Sequence, residues 1–162
     1  MTSALPAPAT HTDEPGLRVT DAMHWGLVTC AADAPLTAVA ALMRDRRVHC
    51  VVVIDESSRE RGLWGVVSDL DLIAAASVRP LDEQTAAGTA MRPAVTIAPG
   101  EPLEEAMKRM TSHGVSHLVV VDPADMYPLG VLSTLDLAAL LAADWAAAAE
   151  PDPYFPASDS RL

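Results

Sequence analysis

Two heptads hold the residues best suited to chemistry: GVVSDLD at 65–71 and GVLSTLD at 130–136. Each places a serine three residues ahead of an aspartate, Ser68 before Asp71 and Ser133 before Asp136. A serine hydroxyl both donates and accepts hydrogen bonds, while an ionised aspartate only accepts. This spacing has two uses. In a capping box the serine caps a helix start and the carboxylate takes the cap's own amide. In a binding site the serine and carboxylate meet a polar ligand, and the preceding glycine lets backbone approach it closely. Taken singly, SxxD favours the cap. Repeated behind a glycine and two apolar residues it favours the site, and one residue can serve both roles.

The elements that must position these residues are themselves written twice. DAMHWGLVTCAADAPLTAVAALMRDRRVHCVVVID lies over TAMRPAVTIAPGEPLEEAMKRMTSHGVSHLVVVD, so that Met23 pairs with Met91, Val28 with Val95, Pro35 with Pro102, Met43 with Met110, Val48 with Val115 and Asp55 with Asp122. In each copy LVTC or AVTI is a short apolar run, and the proline at 35 or 102 suits a first helical turn. Leu36, Val39, Ala40 and Met43, like Leu103, Ala106, Met107 and Met110, recur at helical spacing. VHCVVVI and VSHLVVV are β-branched runs suited to strands buried on both faces. The polar turns DESSRERG and DPADMYPLG lead into a returning strand. A last helix starts at Ser68 or Ser133 and carries Leu70, Leu72 and Ile73, or Leu135, Leu137, Leu140 and Leu141. The spacing thus predicts strand, helix, strand, strand, helix in each copy, an α/β chain of the α+β kind. The expected divisions are a flexible tail at 1–16, a repeat at 17–76, a linker at 77–86, a repeat at 87–145 and a flexible tail at 146–162. Units of this size are marginal alone, so the two copies are expected to pack sheet to sheet with pseudo-two-fold symmetry.

Composition narrows the partners. The chain has 162 residues, 50% of them hydrophobic, with 11 Lys and Arg against 22 Asp and Glu, a formal charge of −11. Such a field repels nucleic acid and anionic membrane surfaces, though a local site for a small phosphate needs only a few donors. The N-terminus lacks the pattern of a secretory signal, and no apolar run reaches membrane-spanning length. A cytoplasmic protein is expected. Cys30 and Cys50 lie in apolar runs without CxxC spacing and are expected as buried thiols. His24, Cys30, His49, Cys50, His113 and His117 match no zinc spacing, and neither GxSxG nor GxxxxGKS occurs, so a metal site and nucleophilic catalysis are not expected.

The DAM and TAM openings, the VTxxxxxxPL stretches, the V…VVxxD strands and above all GVVSDLD and GVLSTLD resemble the tandem CBS domain pair, or Bateman module, over roughly residues 17 to 145. Family members usually carry a proline inside the central strand, where this chain has Val52 and Val119. The resemblance implies two clefts that commonly hold adenosine nucleotides or S-adenosyl compounds, with Ser68 and Asp71, and Ser133 and Asp136, around the ribose. One carboxylate accepting from two adjacent hydroxyls fits a diol. It also implies base or phosphate contacts from the start of the middle strand, here Val48, His49 and Cys50, and Val115, Ser116 and His117. Most histidines so placed are merely satisfied hydrogen-bonders. Phosphate contacts would be helped by Arg44, Arg46 and Arg47, by Lys108, Arg109 and His113, or by Arg92, although cations ending a helix also answer its dipole.

The expectation is a stand-alone regulatory sensor of ATP, ADP, AMP or S-adenosylmethionine, neither an enzyme nor a holder of a catalytic cofactor. A homodimer through the faces of Leu70 and Ile73, and of Leu137, Leu140 and Leu141, and an unidentified regulated protein are the expected partners. The alternatives are a ligand-free dimerisation or docking module and, more remotely, a metal-dependent hydrolase.

Overall fold

The computed structural model describes residues 16–55 and 62–148. The chain runs β1 (His24–Trp25), β2 (Thr29–Ala31), α1 (Leu36–Arg46), β3 (Cys50–Ile54), β4 (Leu63–Ser68), α2 (Asp69–Val78), α3 (Ala86–Thr89), β5 (Thr96–Ile97), α4 (Leu103–His113), β6 (His117–Val121), β7 (Pro128–Ser133) and α5 (Thr134–Ala148). From β2 to α2 and from β5 to α5 the order is the one the repeat predicts. One sheet is ordered β2-β3-β4 and the other β1-β7-β6-β5. In both, a short strand lies parallel to the middle strand and the returning strand antiparallel to it. The registers match: Cys50 faces Ser68 and Val53 faces Gly65, as His117 faces Ser133 and Val120 faces Gly130.

The continuous apolar strands are buried on both faces because each face meets a different layer. Val51 and Val53 pack with Leu36, Val39 and Met43 of α1, as Leu118 and Val120 pack with Leu103 and Met110 of α4. The alternate residues Val52, Val119 and Val121 join Val66 in an apolar layer between the sheets. Val52 and Val119 occupy the positions where proline is usual in the resemblance. Their amides donate to the carbonyls of Val28 and Val95 at 2.9 and 3.0 Å, bonds that proline lacks the hydrogen to make.

Each repeat lends its leading segment to the other. Val19, fully buried, sits in the core of the second repeat beside Ile97 and Leu132, and β1 pairs antiparallel with β7. Reciprocally, Ala86 is buried among Leu36, Val39 and Val51, and Met91 bridges Val66. This exchange corrects the reading of the repeated glycines as openings for a ligand. A Cβ on Gly65 would lie 2.5 Å from the Met91 carbonyl oxygen, and one on Gly130 would overlap the His24 carbonyl oxygen. The glycines admit the neighbouring repeat's backbone.

The segment expected as a linker carries the end of α2, a 3-10 turn at Leu81–Glu83 and the start of α3. Gln84 fastens it by donating to the carbonyls of Ala75, Arg79 and Pro80. Of the expected tails, residues 1–15 and 149–162 lie outside the described residues, as do 56–61 of the first polar turn; α5 extends through Ala148. Cys50 is buried, whereas Cys30, on the outer strand β2, is only half-buried. Of the expected dimer faces, Leu70 and Ile73 are open to solvent at 69% and 68%. Leu137 is core, with Leu140 packed against it, and among the α5 residues whose burial is described the exposed large apolar ones are Leu135 and Leu141.

Candidate functional site

Both SxxD motifs fold as capping boxes. Ser68 caps α2: its amide and its hydroxyl each donate to Asp71 Oδ2 at 2.7 Å, and its Oγ accepts from the Asp71 amide at 3.2 Å. Ser133 and Asp136 repeat the arrangement at 2.8, 2.6 and 3.2 Å. One carboxylate oxygen of each aspartate is thereby committed and the other stands outside the cap. Asp71 Oδ1 has no partner among the described residues, whereas Asp136 Oδ1 meets His24 Nε2 at 2.8 Å.

The antiparallel registers bring each cap beside the start of a middle strand, and the exchanged packing makes that strand the other repeat's. A larger cleft of about 610 Å³ takes Ser133, Leu135 and Asp136 from repeat 2, Arg47, Val48, His49 and Cys50 from repeat 1, and His24 to Val28 along one side. A smaller one of about 130 Å³ takes Ser68, Leu70 and Asp71 from repeat 1 with Val115, Ser116 and His117 from repeat 2, beside Met91, Ala94 and Val95. All ten sequence-nominated residues thus line these two clefts, and His117 lines both. Sequence reasoning missed Trp25, Gly26, Leu27 and Val28, and Met91, Ala94 and Val95. The signal was present just after the duplicated DAM and TAM openings, where Leu27 corresponds to Ala94 and Val28 to Val95.

The clefts differ electrostatically. His49 Nδ1 pairs with Asp69 Oδ2 at 2.9 Å, and this hydrogen bond holds the Asp69 carboxyl below its usual range. His117 is half-buried with Nδ1 at 2.9 Å from Ser116 Oγ. Burial lowers its pKa despite the opposing pull of Asp69, Asp136 and Asp71. Burial, reinforced by Asp69 and Asp136, pushes the Cys50 thiol up to about 12, so it is neutral and weakly reactive.

Of the basic residues nominated for phosphate, only Arg47 lines a cleft. Arg44 pairs with its neighbour Asp45. Arg109 is consumed by Glu101 and Glu105 and by the Thr96 carbonyl. His113 lies within bonding distance of the Arg109 carbonyl, and Arg92 stacks over the Trp64 ring at 4.2 Å. Among the described residues, no group of three or more His, Cys, Asp or Glu side chains is placed to hold a metal ion. No helix among them is long and apolar enough to cross a membrane.

Residues 19–78 and 87–143 each match the CBS domain family. No curated protein matches the chain. Among solved structures, the CBS domain pair of protein MJ0100, in complex with 5′-methylthioadenosine and S-adenosyl-L-methionine, superposes with a TM-score of 0.69 at 19% identity, covering 80% of this chain and 99% of that one. The CBS-domain containing protein ATU1752 from Agrobacterium tumefaciens gives 0.68 at 18%, with coverages of 77% and 99%. Hypoxic Response Protein I, solved with two coordinated zinc ions, gives 0.61 at 21%, with coverages of 76% and 98%. At these identities the likeness is one of fold.

Proposed function

The chain belongs to the CBS domain family, and from that premise we propose that it is a regulatory pair of repeats that binds an adenosyl compound between its halves. The observation that carries this reading is the pairing, in each cleft, of a capped aspartate from one repeat with the start of the other repeat's middle strand. The cap fixes each carboxylate with Oδ2 and keeps Oδ1 outside the cap to meet a ribose hydroxyl, without a partner among the described residues at Asp71 and in exchange for His24 at Asp136. The solved relative with methylthioadenosine and S-adenosylmethionine lends the ligand class. A ligand held by residues of both repeats favours one arrangement of them over others, and its differential affinity sets the size of the shift. The role is regulatory rather than catalytic, because the same acid sits in both repeats with its orientation fixed by a helix cap.

Thermal melting in the presence of ATP, ADP, AMP and S-adenosylmethionine tests this directly. At a hundred times its dissociation constant a ligand adds about 2.7 kcal/mol, a rise of several degrees for a chain of this size. If none of the four moves the transition, the ligand-free docking module becomes the better reading.

The proposal extends to a homodimer. Leu70 and Ile73, one turn apart on α2, and Leu135 and Leu141 on α5 are more than half exposed, and contiguous exposed apolar patches mark contact surfaces. Sedimentation equilibrium is expected to give twice the monomer mass, and Ile73→Glu or Leu135→Glu to shift it toward the monomer. A monomer at all concentrations, from the unsubstituted chain, contradicts this.

A further inference from the structure

The two clefts share a capping box and differ on the facing wall, where repeat 1 has Arg47 at the point corresponding to Gly114 of repeat 2. Gly114 ends α4 in the left-handed region at φ 64° and ψ 35°. Arg47 ends α1 in the same conformation, at φ 54° and ψ 45°. Glycine adopts that backbone freely, whereas an arginine there suffers crowding of its Cβ. Strain of this kind points to a use for the side chain. The Arg47 guanidinium has no hydrogen-bond or ion-pair partner among the described residues, and Arg47 lines the larger cleft. The histidines beside it are engaged, His49 by Asp69 and His24 by Asp136.

We propose that the larger cleft holds one phosphate-bearing ligand per chain, anchored by Arg47, and that the smaller cleft holds none. The planar guanidinium matches phosphate oxygens in a two-point grip, and a single free cation suffices for a local anion site within an acidic protein. Size makes the same division. Small-molecule sites run from about 300 to 1,000 Å³, a range that includes the larger cleft at about 610 Å³ and excludes the smaller at about 130 Å³.

This inference rests on the adenosyl reading, and calorimetric titration of the full chain with AMP and with adenosine separates the two. The unsubstituted chain is expected to bind one AMP, at least tenfold more tightly than adenosine. Arg47→Gly is expected to close that gap by weakening AMP alone. Because glycine relieves the left-handed backbone, the variant melts at the same temperature or a few degrees higher, which excludes unfolding as the cause. Two AMP per chain, or a gap that Arg47→Gly leaves unchanged, overturns the proposal. Binding of adenosine with no preference for AMP removes the phosphate anchor and leaves the adenosyl reading standing. Binding of neither removes both.

Discussion

Gly130→Ala is expected to destabilise the chain by about 1–3 kcal/mol, the range for a methyl group forced into a filled interior. Neither Gly130 nor Gly65 is among the glycines with positive φ, which are Gly26, Gly62 and Gly114, so alanine is conformationally acceptable at both. The obstacle is space. At Gly130 the new methyl overlaps the His24 carbonyl and crowds Met23 Cε at 2.7 Å; at Gly65 it lies 2.5 Å from the Met91 carbonyl and 3.1 Å from Ala90 Cβ. A side-chain end can swing aside, but a backbone carbonyl moves only with its strand. At Gly130 that strand is β1, whose pairing with β7 helps hold the exchanged segment. Urea denaturation should show a lower midpoint for Gly130→Ala and Gly65→Ala at unchanged slope. Gly100→Ala, where nothing lies within 4 Å of the added carbon, should stay within about 0.5 kcal/mol. A glycine kept open for a ligand behaves oppositely, with affinity falling while the midpoint holds. That result contradicts the packing role.

The repeat was legible because duplication doubles every local signal. A β-branched run or an SxxD is ambiguous once, but two copies in the same order assign the elements of both. The buried faces of α1 and α4 followed from helical spacing alone, as did the two-faced burial of the middle strands. What periodicity cannot carry is which copy a segment packs against. Val19 opens the first repeat and Ala86 immediately precedes the second, yet each is buried in the other repeat's core, and no local pattern records a long-range exchange. The same blindness gave the glycines to a ligand, and left His24 as a remote metal candidate when it is the residue bonded to Asp136. On α5, Leu137, Leu140 and Leu141 read as one face; only the neighbouring core shows that Leu137 points in while Leu141 points out. The choice among the basic residues stayed open for a related reason. Composition marks a cluster of positive charge, but acceptors such as Glu101 and Glu105 decide which cations remain free.

Asp136→Asn is expected to lower AMP affinity about tenfold, while Asp71→Asn leaves it unchanged. The two variants form an internal control because their caps are alike: Asp71 Oδ2 accepts from the Ser68 amide and hydroxyl at 2.7 Å each, and Asp136 Oδ2 from those of Ser133 at 2.8 and 2.6 Å. Loss of charge at either cap therefore takes a similar toll on stability, roughly 0.5–1 kcal/mol, at the low end for a cap substitution. Affinity separates them, since the second oxygen of Asp136 faces a cleft large enough for a nucleotide. His24 also bonds that oxygen, but its side chain is 78% exposed against 14% for Asp136, and pairs with a solvent-exposed partner contribute about 0–1 kcal/mol. A ribose hydroxyl bonded to the carboxylate contributes about 1.5–3 kcal/mol, so the ligand displaces the ring. Removing the charge forfeits that difference, about 0.5–3 kcal/mol, a range that brackets the 1.4 kcal/mol worth a factor of ten. Equal losses of AMP affinity in both variants would place ligand in both clefts. Equal losses of stability with no change in affinity would leave the two aspartates as helix caps and nothing more.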